Sequence, residues 1–103
     1  MARRKSKKMP PIHPGETIRE DILKALRLSV NRLAMDLHVP VTRMSEIVNG
    51  RRSITVDTAL RLARYLGTTA QFWLNLQARY DLERAEDELA ARIESEVHPR
   101  RAA

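Results

Sequence analysis

The stretch LAMDLHVPVTRMSEIVNGRRSI, residues 33–54, decides the fold. It predicts two short helices that are joined by a tight turn. Pro40 ends the first of these helices near His38, because proline donates no backbone hydrogen bond, and it can open the second helix. Asn49 and Gly50 end the second helix, since glycine adopts the left-handed conformation of a C-terminal cap without steric cost.

The second of these helices has one apolar face and one polar face. At about 100° per residue, Met44, Ile47 and Val48 lie on the same side. The opposite side carries Thr42, Ser45, Glu46 and Asn49, with Val41 and Arg43 on the flanks. Short polar and basic side chains on an exposed helix face are typical of a helix that enters the major groove of DNA. Periodicity alone also fits an ordinary αα-hairpin in a helical core.

Three further helices complete an all-α fold. A helix runs from Pro14, a favourable first-turn residue, to about Leu26. Ser29 is a predicted N-cap for the first helix of the pair. The fourth helix starts after Thr55, and Thr68 and Gln71 have the spacing of a capping box that opens the fifth at about Thr69. Apolar spacing predicts that the first helix buries Ile18, Ile22, Leu23 and Leu26, and the fourth Val56, Ala59, Leu60, Ala63 and Leu66.

The chain resembles a known family in several separate motifs. Leu33-Ala34, the turn at residues 37–39, Asn49-Gly50 and the helix that ends at Leu66-Gly67 are similar to the five-helix helix-turn-helix domain of phage repressors. A more specific resemblance, over residues 11–86, is to the HigA family of antitoxins from host-inhibition toxin–antitoxin modules. It rests on HPGE at residues 13–16, NGRR with IT at 49–55, ALRLA at 59–63, FWLNLQ at 72–77 and YDL at 80–82.

The HigA resemblance implies two functions for one chain. An antitoxin of this kind neutralises a small RelE/HigB-like toxin, a ribonuclease that cleaves messenger RNA, and represses its own operon through the helix-turn-helix. Because one short helix reads only a few base pairs, we expect a twofold homodimer on half-sites about 34 Å apart. The alternative is a stand-alone transcriptional repressor with no toxin partner.

The predicted DNA-contacting residues of the second helix are Val41, Thr42, Arg43, Ser45, Glu46 and Asn49. Thr42, Ser45 and Asn49 can reach base edges or phosphates, and asparagine can pair bidentately with adenine. Arg43 can contact guanine or a phosphate, and the sequence does not choose between them. Glu46 faces repulsion from phosphates unless it accepts a hydrogen bond from a cytosine amino group.

Four residues outside the second helix complete the predicted DNA surface. Arg51 and Arg52 follow that helix in a loop, where we predict phosphate contacts, although two solvated arginines fit the pattern as well. Related phage repressors often carry a glutamine at the place of Val30 that braces both a phosphate and the recognition helix. Asn31 or Arg32 is a candidate substitute for that missing contact.

The charge of the chain is divided unevenly among three segments. The first ten residues carry +5, and residues 81–103 hold seven acids and four arginines, a net −3. We therefore predict a basic flexible tail at 1–11, the helix-turn-helix domain at 12–80, and an acidic helical extension with a frayed C-terminus at 81–103. The tail can add nonspecific affinity for DNA, contact a partner protein, or simply be solvated.

The fifth helix carries an apolar stripe that includes most of the aromatic residues. Phe72 and Leu76 are predicted to complete the core. Trp73 and Tyr80 have large surfaces, so either residue can lie in the core or at a homodimer contact. Beyond Tyr80 the apolar spacing continues weakly to Val97, which fits a docking helix or a frayed end.

The composition excludes several other classes. Three scattered histidines, no cysteine and only three glycines offer no metal-ligand spacing, nucleophile or phosphate loop, so we predict neither an enzyme nor a cofactor. No apolar run approaches the roughly 20 residues of a membrane span. The absence of cysteine fits a reducing bacterial cytoplasm.

Overall fold

The computed structural model describes residues 9–101, so most of the predicted tail at residues 1–11 lies outside the described part. The described residues form five helices and no strand, which confirms the all-α fold. Helix α1 covers residues 14–26 and consists of Pro14–Thr17, a π-helical turn at Ile18–Leu23, and Lys24–Leu26. The other helices are α2 at Val30–Leu37, α3 at Val41–Val48, α4 at Val56–Leu66 and α5 at Ala70–Glu96.

Hydroxyl side chains cap the starts of three helices, α2, α4 and α5. The hydroxyl groups of Ser29 and Thr55 accept hydrogen bonds from backbone N–H groups of α2 and α4, which confirms both predicted caps. The capping box predicted at Thr68 is wrong. Thr69 caps α5 through the N–H of Phe72, while the Thr68 hydroxyl accepts a hydrogen bond of 2.8 Å from Nε1 of Trp73.

The core lies where α2, α3 and α4 pack against α1 and the first turns of α5. Its fully buried large side chains include Ile18, Leu33, Met44, Ile47 and Leu62. Ala34 is also fully buried in α2, and its small side chain lets α2 and α3 cross closely. Trp73, whose position the sequence left open between core and dimer contact, is only 1% exposed and belongs to this core.

Four residues that were predicted to be buried are exposed: Leu26, Val56, Leu60 and Phe72. Leu26 is the last residue of α1, and the chain then turns away through the left-handed backbone of Arg27. Val56 and Leu60 are one turn apart and share a face of α4 that no other helix of the described residues covers, so Leu60 is 56% exposed. Phe72 is 43% exposed because the neighbouring Trp73, about 100° further round α5, occupies the core position instead.

Helix α5 continues well beyond the globular body as one unbroken helix of 27 residues. The boundary that we predicted between residues 80 and 81 therefore falls inside this helix. Ion pairs one turn apart, such as Arg84 with Glu88 and Arg92 with Glu96, line its exposed surface. The predicted helical extension is confirmed up to Glu96, and the residues that follow, up to the end of the described chain, are not helical.

The start of α1 rests directly on the end of α3. A Cβ atom at Gly15 would overlap the carbonyl oxygen of Ile47 and lie 2.8 Å from its carbonyl carbon and 3.0 Å from the Cα of Val48. Four residues along α1, the guanidinium group of Arg19 donates a hydrogen bond of 3.2 Å to the carbonyl of Val48. Helix α1 thus covers the backbone of the last turn of α3 and satisfies one of its free carbonyl groups.

We predict that Gly15→Ala lowers the free energy of unfolding by about 3 kcal/mol or more, because the clashing atoms are backbone and cannot rotate away. Gly67→Ala is the matched control, since no atom lies within 4 Å of the added Cβ and only the left-handed φ of 78° opposes it. That control should lose about 1 kcal/mol. Urea unfolding measures both, and equal losses would contradict the close contact.

Candidate nucleic-acid interface

Helix α3 presents its polar face to solvent because its apolar face is locked into the core. Met44 and Ile47 are fully buried, and Val48 is nearly so. On the other side Thr42 and Asn49 are exposed, while Ser45 is half-buried. The structure therefore brings the predicted contact residues of this helix to one surface, with Val41 exposed at its start.

The turn between α2 and α3 is held from outside by α4. His38 ends α2 in the left-handed conformation, with φ of 58°, and its N–H returns to the carbonyls of Ala34 and Met35. Arg61 of α4 donates hydrogen bonds of 3.0 and 3.4 Å to the carbonyls of Leu37 and His38. These bonds fix the turn, and with it the angle at which α3 leaves α2.

Several of the predicted basic contacts are paired with acids of the same chain. Arg43 lies 3.0 Å from a carboxylate oxygen of Asp57, and Arg61 lies 3.1 Å from the same oxygen. Hydrogen bonds from Arg61 and then from Arg43 hold the pKa of Asp57 below its ordinary value. Glu46, which was difficult to explain next to DNA, lies 2.6 Å from Arg52, so its charge is compensated within the protein.

These charged residues surround a polar cleft of about 380 Å³ between α3, α4 and the loop that joins them. Its lining consists of His38, Arg43, Arg52, Ser53, Thr55, Asp57, Thr58 and Arg61. With three guanidinium groups and one carboxylate the cleft is electropositive, and the exposed hydroxyl group of Ser53 can donate a hydrogen bond to an anion. Phosphate oxygens of a nucleic-acid backbone and the acceptor edge of guanine both have the matching chemistry.

The remaining predicted contacts are dispersed around this surface. Arg51 is exposed just past α3, and its backbone N–H donates a hydrogen bond of 2.8 Å to the carbonyl of Glu46. Asn31 and Arg32 are exposed in the first turn of α2, where Arg32 forms an ion pair of 3.2 Å with Asp36.

The loop that carries Arg51 and Arg52 is anchored to α5 by a residue that the sequence analysis missed. The side-chain oxygen of Gln77 accepts a buried hydrogen bond of 2.8 Å from the N–H of Ile54. Its amide nitrogen donates one of 3.0 Å to Asp81. A signal was present in the sequence, because Gln77 lies one turn after Trp73 and so shares the buried face of α5.

His13 is a second residue whose position was not predicted. Its Nδ1 accepts a hydrogen bond of 2.8 Å from the N–H of Gly15, so His13 caps α1. The ring packs edge-on against the ring of Tyr80, with the two ring centroids 4.8 Å apart. It also forms a hydrogen bond with the backbone of Arg52. His13 therefore joins α1, the loop after α3 and α5 at a single point.

Tyr80, which the sequence left open between core and dimer contact, is half-buried, and so is Leu76, which was predicted to complete the core. Tyr80 contacts His13 on one side, and the guanidinium group of Arg84 lies over its ring at 5.7 Å. Leu76 lines a cavity of about 430 Å³ together with Met9, Ile12 and Arg79. Both residues keep part of their surface open to solvent within a single chain.

We predict that acid weakens the fold through His13. Burial lowers the pKa of His13 below its ordinary value of 6.5, and the Arg52 backbone hydrogen bond and the charge of Asp81 partly oppose this effect. The unfolded chain therefore binds a proton more readily than the folded chain. The stability due to the neutral ring is complete above pH 6.5 and is lost as the pH falls through the lowered pKa.

The test compares wild type with His13→Asn, which keeps a capping oxygen for the Gly15 N–H but does not titrate. The free energy of unfolding should fall between about pH 7.5 and pH 5.5, and it should fall less in His13→Asn than in wild type. His98→Asn, at the exposed C-terminal end, should behave as wild type. An equal fall in wild type and His13→Asn would exclude His13 as the source.

Two features are absent from the described residues 9–101. No described helix is both long and apolar enough to span a membrane. Within the same residues, no group of three or more histidine, cysteine, aspartate or glutamate side chains is arranged to hold a metal ion.

Comparison with known proteins identifies the class of this protein. The Helix-turn-helix family HTH_3 matches residues 20–73, which is more than half of the chain and includes α2, α3 and α4. The chain belongs to this family of helix-turn-helix DNA-binding proteins.

Individual relatives confirm the more specific resemblance to HigA. An addiction module antidote protein of the HigA family from Coxiella burnetii is 50% identical, with a TM-score of 0.85 over 89% of this chain and 100% of that chain. The antitoxin HigA of Pseudomonas aeruginosa, solved with the higBA promoter, is 43% identical, with a TM-score of 0.84 over 86% of this chain and 97% of that chain. Virulence-associated protein I of Dichelobacter nodosus is 56% identical over 78% of this chain and 74% of its own length.

Proposed function

We propose that this chain is the antitoxin of a type II toxin–antitoxin module. It binds and neutralises a RelE/HigB-like ribonuclease toxin, and as a homodimer it represses the operon that encodes both proteins. The observation that carries the proposal is the polar face of α3 on a body that superposes on 97% of a HigA antitoxin solved with its promoter. The two proposed partners, the toxin and the operator DNA, would then lie with this chain in the bacterial cytoplasm.

In this role the chain makes two kinds of contact with DNA, one with base edges and one with phosphates. Thr42, Ser45 and Asn49 on the open face of α3 reach base edges in the major groove. Arg51 and Arg52, in the loop that Gln77 fixes, contact phosphates and set the position of α3 on the duplex. A twofold dimer places two α3 helices in successive major grooves about 34 Å apart.

The toxin-binding half rests on charge. A ribonuclease that binds RNA carries a basic surface, which acidic patches on an antitoxin attract. Two such patches lie on the surface: Glu16, Glu20 and Asp21 on α1, and the distal part of α5 from Glu83 to Glu96, in which Glu88, Glu94 and Glu96 are exposed. In the first patch Glu20 is already paired with Arg19 and Lys24, whereas Glu16 and Asp21 are exposed beside it.

We predict that two substitutions in the DNA contacts change the affinities for operator and random DNA differently. Asn49→Ala should weaken binding to the specific operator by about 1–3 kcal/mol and leave random DNA nearly unchanged, because a base contact is lost. Arg51→Ala should weaken both DNAs about equally and reduce the salt slope by about one unit. Titrations at several salt concentrations measure both quantities.

Arg92→Ala is the charge-matched control, since Arg92 pairs with Glu96 on the distal part of α5. It should leave both affinities unchanged. Equal losses on operator and random DNA for Asn49→Ala would refute the base contact.

We predict that this chain restores growth to cells arrested by the small toxin gene next to its own. Co-expression of the two genes from separate promoters measures the rescue. The variant Asn49→Ala should still rescue, because neutralisation does not need the DNA contact. Toxicity that persists at equal expression would sink the antitoxin proposal and leave the stand-alone repressor.

The same assay locates the toxin-binding surface. Asp21→Lys reverses a charge on α1, and Glu94→Lys reverses one on the distal part of α5. Rescue should fail for the variant that lies in the contact and persist for the other. Each variant is checked for an unchanged thermal unfolding midpoint before its rescue is interpreted.

A further inference from the structure

Asp57 occupies an unusual position among the charged residues of the DNA-facing surface. It lies in the first turn of α4, yet its carboxylate joins residues of two different elements. Arg43, from α3, donates to it at 3.0 Å through Nη1, and Arg61, one turn along α4, donates through Nε at 3.1 and 3.2 Å. One acid therefore holds two guanidinium groups in the electropositive cleft.

Arg61 is itself anchored, so this cluster is more than a pair of mobile surface charges. Its Nη1 donates to the carbonyls of Leu37 and His38 in the turn before α3. The bonds run in sequence from the turn to Arg61, then to Asp57, then to Arg43 on α3. The guanidinium group of Arg43 is consequently held in a fixed place relative to the turn, and its side chain is only 30% exposed.

We propose that Asp57 is a positioning residue that sets the sequence specificity of DNA binding. Its carboxylate holds Arg43 in the orientation in which the arginine reads a guanine, and its negative charge weakens binding to DNA of any other sequence. The inference rests on the proposed DNA-binding function and also selects between the two roles, guanine or phosphate contact, that the sequence left open for Arg43.

Two physical consequences follow from this arrangement. Arg43 uses one nitrogen for Asp57, and a guanidinium group has five N–H donors, so a bidentate contact with guanine is compatible with the ion pair. A phosphate contact is different, because nonspecific DNA must draw Arg43 and Arg61 away from Asp57 and approach its negative charge. Removal of the carboxylate should therefore act in opposite directions on the two kinds of DNA.

The experiment compares wild type with Asp57→Asn on two duplexes. The first duplex has the sequence that wild type selects from a random-sequence pool. The second has the same base composition in a shuffled order. Asp57→Asn should bind the selected duplex about fivefold more weakly, since Arg43 loses its orientation. It should bind the shuffled duplex about twofold more tightly, with a salt slope steeper by about one unit, as an arginine becomes free for phosphate.

Two controls separate this role from a loss of fold or a general charge effect. Glu96→Gln removes one negative charge from an ion pair on distal α5 and should leave both affinities unchanged. In an Arg43→Gln background, Asp57→Asn should no longer weaken binding to the selected duplex, because the residue through which it acts is absent. Asp57→Ser repeats the test if Asp57→Asn lowers the thermal unfolding midpoint.

The outcomes are distinguishable. Opposite shifts on the two duplexes, with coupling to Arg43, support the role of Asp57. Shifts in the same direction, or a loss that persists in the Arg43→Gln background, overturn it while leaving the DNA-binding proposal intact. If wild type selects no sequence from the pool and Asn49→Ala changes nothing, the DNA-binding proposal itself fails.

Discussion

The contact between the backbone of α1 at Gly15 and the backbone of α3 at Ile47 is the constraint on which the rest of the structure depends. It leaves no room for a side chain at position 15, and it brings Arg19 to the carbonyl of Val48. Because α1 starts at this point, its capping residue His13 lies beside the loop that follows α3. The end of the recognition helix, the start of α1 and the inner face of α5 are therefore positioned together.

The proposed DNA-binding surface carries acids that pair with its own arginines. Asp57 and Glu46 neutralise part of the charge of Arg43, Arg61 and Arg52, although the whole chain has a formal charge of +6. A surface built only from arginines would bind every duplex strongly, since phosphate contacts carry no sequence information. Internal acids reduce that general attraction and keep long, flexible side chains in defined positions. In the proposed DNA-binding role, these acids favour discrimination between sequences over overall affinity.

Local signals in the sequence predicted most of the fold. The turn at Pro40, the cap at Ser29 and the apolar face of α3 depend on residues close together in the chain, and all three are confirmed. The errors at Leu60 and Phe72 have a different origin, because apolar spacing shows which residues share a face but not whether another helix covers it. Three contacts join residues 14 or more positions apart: Gln77 with Ile54, His13 with Tyr80 and Asp57 with Arg43. Such contacts follow from tertiary packing and have no local pattern.

The single tryptophan has a practical consequence for solution studies of this chain. Trp73 is 1% exposed, and its indole N–H donates a hydrogen bond to Thr68, so we expect the folded protein to show the emission of a buried, hydrogen-bonded indole. It lies one helical turn from Gln77, the residue that fastens the loop behind the recognition helix. Trp73 fluorescence can therefore report on the junction of the core and the loop after α3, and no label is required near the proposed DNA-binding surface.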